Sequence, residues 1–325
     1  MHKRLPGNSD LNLSLIGMGT WAIGGGGWSY AWGPQDDRES IQAIHAAYDA
    51  GINWIDTAAI YGLGRAEKVV GRALKKMKEK PYIATKCGLV WDEKRKVKRC
   101  LRKKSIMQEA EESLKRLKID CIDLYQMHWP VDPPEEIAEG WEAMSTLIKQ
   151  GKVRYAGVSN FSVPQMQVCM QEGAPLTSLQ PPYSLLVRDI EKEILPFCRE
   201  NNLGVIAYSP MQKGLLTGKW TREKVQQLPD DDHRKNKDPM FQSPQFDAIL
   251  RFVDELEETF KERGKSVIHA AVGWVLAQPG VTAAIVGLRN EQQVRDIQVV
   301  GEEPLTEEEV KTINKIVRHH PEIYA

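Results

Sequence analysis

Apolar positions along the chain follow two rhythms. Short, nearly continuous apolar runs begin near Ile52, Tyr82, Cys121, Val153, Leu176, Gly204 and Thr282, and Ser14 to Gly19 makes an eighth. Such runs suit strands buried on both faces. Between them, apolar residues return every three or four positions: Ile41, Ile44 and Tyr48; Val69, Val70, Ala73, Leu74 and Met77; Ile106, Ala110, Ser113, Leu114 and Leu117; Ile137, Trp141, Met144 and Ile148. These are helical stripes. Asp36, with Glu39 three residues on, reads as the N-cap of the first helix, and Gly51 as its stop. Eight strands alternating with helices predict a (β/α)8 TIM barrel over residues 1–325 as a single domain; a doubly wound sheet usually has fewer strands and reverses their order.

Three segments fall outside the repeat. Pro6-Gly7-Asn8-Ser9-Asp10 predicts the turn of an N-terminal β-hairpin ahead of the first barrel strand. Thr221 to Pro244 is polar and too long for an ordinary connection, which marks it as a functional lid or a disordered stretch. Thr306, with Glu309 three residues on, opens an extra helix to about Arg318, placed outside the barrel.

Candidate chemistry sits where the apolar runs end. Asp56, Lys86 and His128 close three of them, and Tyr61 follows the first. In parallel β/α folds the carboxyl ends of strands aim side chains at one point, so a carboxylate, an ammonium, an imidazole and a phenol would meet there. Together they form a proton-transfer site; each taken singly is equally a structural ion pair, a packing residue or a core histidine.

The composition narrows the classes. The chain has 325 residues, 42% of them hydrophobic, and 44 basic against 44 acidic residues, so its charge balance requires neither nucleic acid nor an anionic membrane. No stretch reaches the ~18 apolar residues of a membrane span, and the first ten residues have no apolar signal core. Five scattered cysteines argue against a disulfide framework or a metal site and for a reduced, cytoplasmic protein. A monomer or a weak homo-oligomer is expected.

Two stretches compete as phosphate sites. Gly17-Met18-Gly19-Thr20-Trp21-Ala22 matches the dinucleotide fingerprint G-x-G-x-x-A, with Asp36 and Asp37 near the expected distance. Ile23-Gly24-Gly25-Gly26-Gly27-Trp28 follows, however, where a helix should open, so it reads as a mobile loop. Near the other end, the strand Ala283 to Gly287 leads to Arg289, with Asn290 as N-cap and Gln293 as its partner. A guanidinium at a helix N-terminus suits a phosphate monoester, though a simple cap with a solvated arginine has the same spacing.

Asp56-Thr57-Ala58 with Tyr61-Gly62, Lys86, His128-Trp129-Pro130, Gly157-Val158-Ser159-Asn160-Phe161, Gln180-Pro181-Pro182-Tyr183-Ser184, Tyr208-Ser209-Pro210 and Gly214-Leu215-Leu216-Thr217-Gly218-Lys219 resemble the signature blocks of the aldo-keto reductase superfamily. The resemblance covers nearly the whole chain and is nearest to the bacterial NADPH-dependent branch related to potassium-channel β-subunits. It implies reduction of a small-molecule carbonyl by NADPH, with Tyr61 as acid, Lys86 and Asp56 beside it, and His128 polarising the carbonyl. It implies cofactor contacts from Thr20, Trp21 and Asp56; from Ser159, Asn160 and Gln180 to the carboxamide; and from Tyr208 stacked on the nicotinamide. Ser209, Pro210, Met211, Gln212, Lys213, Gly214, Leu215 and Lys219 would follow the pyrophosphate. Arg234, Gly287, Leu288, Arg289 and Gln293 would reach the adenosine end. Where many relatives continue with Glu-Asn after that glutamine, this chain has Asp296-Ile297.

The substrate is less legible. Trp21, with Tyr61, His128 and Trp129, is expected at the substrate, and Trp28, Trp32 and Trp91 would complete an aromatic cup. The basic run from Lys94 to Lys104 either steers an anionic substrate or is a solvated face. Cys87 beside Lys86 reads as a redox-sensitive or a buried inert thiol. Two other functions share these residues: a cofactor-bound regulatory subunit with slow turnover, against which the short segment before the barrel counts, and NAD-dependent alcohol oxidation, against which Arg289 and Arg234 count.

Overall fold

The apolar runs become eight parallel strands in the computed structural model, which describes residues 1–28, 31–171, 173–229 and 232–324. They are β1 (Ile16–Gly19), β2 (Trp54–Asp56), β3 (Tyr82–Cys87), β4 (Ile122–Met127), β5 (Val153–Ser159), β6 (Leu176–Gln180), β7 (Gly204–Tyr208) and β8 (Val281–Gly287), and β8 pairs with β1 to close the barrel. Helices cover the outside, which is why the strand runs carry almost no polar alternation. The first, Asp37–Asp49, begins where the Asp36 carboxylate accepts from the Arg38 and Glu39 amides. It ends before Gly51, whose φ of +86° few other residues adopt. The second stops at Leu74, leaving Met77 beyond its end. Among the described residues, two of the long helices exceed one per strand: β7 is followed by both Gln245–Lys261 and Val267–Ala277, and Glu291–Glu302 after β8 is followed by Glu307–His319. Glu307–His319 carries the Thr306/Glu309 capping box and packs on the preceding helices, outside the barrel as expected.

The barrel interior is layered. Leu11, Leu13, Trp54, Ala84, Leu124, Ile206, Ala283 and Ile285 fill its lower and middle parts. Gly17 is there for space, because a Cβ would lie 2.1 Å from the Trp54 indole, and a Cβ on Gly19 would press on Ile285. That packing accounts for the glycine pair, and a 3-10 turn, Trp21–Gly24, follows where the dinucleotide fingerprint would open a helix. The N-terminal hairpin, Lys3–Arg4 against Leu13–Ser14, forms the floor. Gly7, at φ +55°, turns it tightly against the carbonyls of Thr177 and Asn202. Arg4 donates to the carbonyls of Leu276 and Val281 at 2.9 and 2.7 Å.

The long connection after β7 is built rather than structureless over its described residues. It contains the short helices Arg222–Gln226 and His233–Asn236 and a 3-10 turn, Pro239–Phe241, with Thr221 and Asp238 capping the first helix and the turn. Among the described residues no helix is long and apolar enough to cross a membrane.

Candidate active site

Strand alternation decides which side chains enter the barrel mouth. On β3, Thr85 points outward and donates to buried Glu67 at 2.7 Å, and Glu67 also accepts from Arg116 at 2.6 Å. Lys86, the next residue, must then point inward. Its ammonium donates to Asp56 Oδ2 at 2.6 Å, the Thr57 carbonyl at 3.0 Å and the Tyr61 hydroxyl at 3.2 Å. Tyr61 is placed by the turn after β2, where Gly62 (φ +62°) lies so close to Gly24 of the loop after β1 that neither position has room for a Cβ. His128, just past β4, stands edge-on to Tyr61 with ring centroids 5.8 Å apart. The four candidate catalytic residues therefore converge, and all are buried.

Their electrostatics follow from that burial. Burial, then the Asp56 carboxylate, pushes the Tyr61 hydroxyl well above the usual 10 of a phenol. Burial lowers Lys86 while Asp56 opposes the shift. Burial and the Lys86 charge hold His128 well below its usual value, so it is neutral near pH 7. Taken alone, the Lys86 cation 3.2 Å from the Tyr61 hydroxyl would favour the phenolate. In the structure Asp56 already compensates that cation, and the phenol stays protonated.

Next to this group lies a row of amides and hydroxyls on adjacent strands. Gln180 Nε2 donates to Asp56 Oδ1 at 2.8 Å, Ser159 donates to the Gln180 carbonyl at 2.8 Å, and Asn160, left-handed at φ +64°, donates to the His128 carbonyl at 3.0 Å. The Tyr208 hydroxyl donates to Asn160 Oδ1 at 2.9 Å. Thr20 is fully buried at the end of β1 and donates to the Asp56 carbonyl. Trp21, 36% exposed, packs 5.3 Å from Tyr61 and beside Trp28 and Trp32. Trp129 instead carries the Arg99 guanidinium 4.9 Å from its ring centroid, and Trp91 sits in a short hairpin, Leu89–Trp91 against Val97–Arg99. Arg95, at that hairpin's tip, donates to the Gly27 carbonyl at 3.0 Å, so part of the basic run ties loops together.

Beyond β7 and β8 the chain turns into a rim. Ser209, Gln212, Lys213 and Gly214 all have positive φ; Pro210 and Leu215 are buried, Met211 is half-buried and Lys219 is exposed near Asp296. Lys213 pairs with Asp238. After Gly287 and buried Leu288, Asn290 caps Glu291–Glu302 by accepting from the Gln293 amide. The Gln293 side chain does not return to the cap residue; it accepts from the Arg289 amide at 2.8 Å, fixing that backbone one position earlier. The Arg289 guanidinium donates through Nε to Gln35 Oε1 at 2.6 Å and through Nη2 to the Pro34 carbonyl at 2.9 Å. Arg234 is held bidentately by Asp232 between the rings of Trp32 and Trp220, 5.0 and 5.1 Å from their centroids.

Sequence reasoning missed Glu67, Gln126 and Gln35. Gln126 shares the inward face with His128 two residues on, and its side-chain oxygen accepts from Gln180 at 3.3 Å. A polar residue inside an apolar strand was the signal. Gln35 had none, because its partner lies 254 residues away.

The sequence profile described as "Aldo/keto reductase family" matches residues 15–318. Aldo-keto reductase YhdN of Bacillus subtilis is 42% identical over 315 residues, covering 96% of this chain and 92% of its own length. An NADH-specific methylglyoxal reductase of Escherichia coli is 37% identical over 308 residues, covering 90% and 92% respectively. The solved structure of the glycerol dehydrogenase AKR11B4 from Gluconobacter oxydans superposes with a TM-score of 0.88 at 46% identity, over 98% of this chain and 95% of that one. With the closed eight-stranded barrel and the profile spanning nearly all of it, the chain belongs to the aldo/keto reductase family.

Proposed function

We propose that residues 1–325 act as one barrel that reduces aldehydes and ketones to alcohols with NADPH, Tyr61 donating the proton. The observation that carries this reading is the buried Lys86 ammonium, which bonds Asp56 and Tyr61 at once. The residues present suit the cofactor. A neutral amide row for a carboxamide, the Tyr208 ring, a run of left-handed backbone after β7 and the Arg289 guanidinium follow one another on adjacent strands. Ser159, Asn160, Gln180 and Tyr208 would hold the nicotinamide end, the chain from Ser209 to Lys219 the pyrophosphate, and Arg289 with Gln293 the adenosine end.

When bound, the nicotinamide supplies a hydride to the carbonyl carbon. The protein's residues manage the oxygen. Tyr61, kept protonated by burial and Asp56, delivers its proton to the carbonyl oxygen as charge builds there. Neutral His128 donates a hydrogen bond to the same oxygen, which costs no rearrangement in a preorganised, buried site. Lys86 offsets the charge left on Tyr61, and Asp56 keeps Lys86 in place. Trp21, Trp28 and Trp32 form an apolar wall beside Tyr61 for the body of the substrate.

The Gluconobacter neighbour's name supports the reverse direction as a second reading. Alcohol oxidation needs Tyr61 to accept a proton, and its raised pKa makes that direction increase with pH. The deciding experiment follows NADPH oxidation across a panel of aromatic and aliphatic aldehydes, comparing wild type with Tyr61→Phe. The mutant should lose roughly 10²–10⁴-fold in kcat at unchanged NADPH affinity. Tight NADPH binding with no turnover by wild type on any aldehyde would favour the regulatory reading instead.

A further inference from the structure

We propose that Gln35 is a specificity-determining positioning residue, which aims the Arg289 guanidinium at the adenosine 2′-phosphate while leaving its charge uncancelled. This rests on the NADPH reading above. Gln35 is 8% exposed, at the end of the loop after β1, and is held from several sides. Its Oε1 accepts from Arg289 Nε at 2.6 Å, and its Nε2 donates to the Arg289 carbonyl and to Glu39 Oε2, both at 3.3 Å. Its backbone carbonyl accepts from Arg65 Nη2 at 2.6 Å, and Arg65 is itself paired with Asp37. The carboxamide thus grips Arg289 at both side chain and backbone, and the Pro34 carbonyl takes Nη2.

The choice of acceptors gives this grip its consequence. An arginine presents donors on two edges, and here the edge containing Nε is occupied by neutral oxygens, so the guanidinium plane is fixed with the Nη1 side directed elsewhere. Neutral acceptors orient a cation without neutralising it. A carboxylate in the same position would make an ion pair, remove the net charge that favours a phosphate dianion and repel that phosphate directly. One side-chain atom at position 35, an amide nitrogen or a carboxylate oxygen, therefore sets the preference between NADPH and NADH. Glu39 stands behind the carboxamide, where its Oε2 accepts from Gln35 Nε2.

The test is equilibrium binding of NADPH and NADH by fluorescence, for wild type, Gln35→Glu, Gln35→Ala and Arg289→Ala. It is run near pH 8, where an introduced carboxylate is ionised. Gln35→Glu should raise the NADPH Kd by about tenfold or more, as loss of a charge-assisted contact does, and change the NADH Kd less than about twofold. Gln35→Ala should weaken NADPH by only about two- to fivefold, since the charge remains and only its orientation is lost. An unchanged NADH Kd also reports that each variant is folded around its site. If Arg289→Ala lowers the NADPH preference while Gln35→Glu leaves it unchanged, or if Gln35→Ala tightens NADPH, the role given to Gln35 is wrong. If Arg289→Ala leaves the preference unchanged, the cofactor reading at Arg289 fails and takes this inference with it.

Discussion

A lysine ammonium 3.2 Å from a phenol would ordinarily acidify it, yet Tyr61 is displaced the other way because burial penalises any phenolate and the Asp56 carboxylate disfavours a second negative charge beside it. The residue is tuned as a donor at rest. A second buried acid lies behind the end of β3. Glu109 accepts from the Gly88 amide and the Ser105 hydroxyl, both at 2.9 Å, and burial raises its carboxyl from 4.5 to about 7. A pKa raised in the folded state means stability that is full below the unfolded value and is lost as pH rises through the folded one. Wild type should therefore lose up to about 3 kcal/mol relative to Glu109→Gln between pH 5 and pH 8, measured as the difference in urea unfolding free energies. A constant difference across that range would mean that Glu109 titrates normally. Burial and Glu109 also raise the Cys87 thiol well above its usual value, which matches the inert alternative for that residue. The catalytic candidates were legible in the sequence because Asp56, Lys86 and His128 stand where apolar runs end and Tyr61 follows the first of them closely. Glu67 and Glu109 were not, because a buried acid on an amphipathic helix looks like any surface acid until its partners are known.

Among the elements, four loops at the barrel mouth are joined by three arginines. Arg95 links the hairpin after β3 to the loop after β1, Arg99 rests on Trp129 after β4, and Arg234 joins the segment after β7 to Trp32 after β1. The sequence showed Thr221 to Pro244 to be too long for a simple connection. It hid the short helices there, because four or five residues are too few to display a period. The family resemblance implied that Arg234 reaches the adenosine end; in the structure Asp232 holds it between two indoles. Cation–π contacts are worth about 0.5–2 kcal/mol each, the larger figure for desolvated sites, and the Arg234 side chain is only 15% exposed. Arg234→Ala should accordingly let this segment open about tenfold more often, seen as faster limited proteolysis between residues 221 and 244 with the unfolding temperature nearly unchanged. Unaltered cleavage would show that other contacts hold the segment.

For the molecule as a whole, strand count and order were readable from the apolar runs, since a parallel barrel buries both faces of every strand. Closure followed only from counting those runs to eight, because the β8 to β1 pairing joins residues more than 250 positions apart. The floor is similar in kind. Gly7→Ala would place a Cβ 2.4 Å from the Thr177 carbonyl at a positive φ, and a cost of about 2–3 kcal/mol is expected, read as a lower urea midpoint with kcat nearly preserved. A midpoint equal to wild type would mean that the hairpin undocks cheaply. The hairpin has a further consequence for the order of events during synthesis. Its anchors are the carbonyls of Leu276, Val281 and Gly301, bonded to Arg4 and His2. His2 and Arg4 thus wait for partners translated more than 270 residues later. Until then Leu11 and Leu13 have no barrel to enter, and the nascent chain carries an open-bottomed cylinder that only the arrival of β8 and the helix after it can seal.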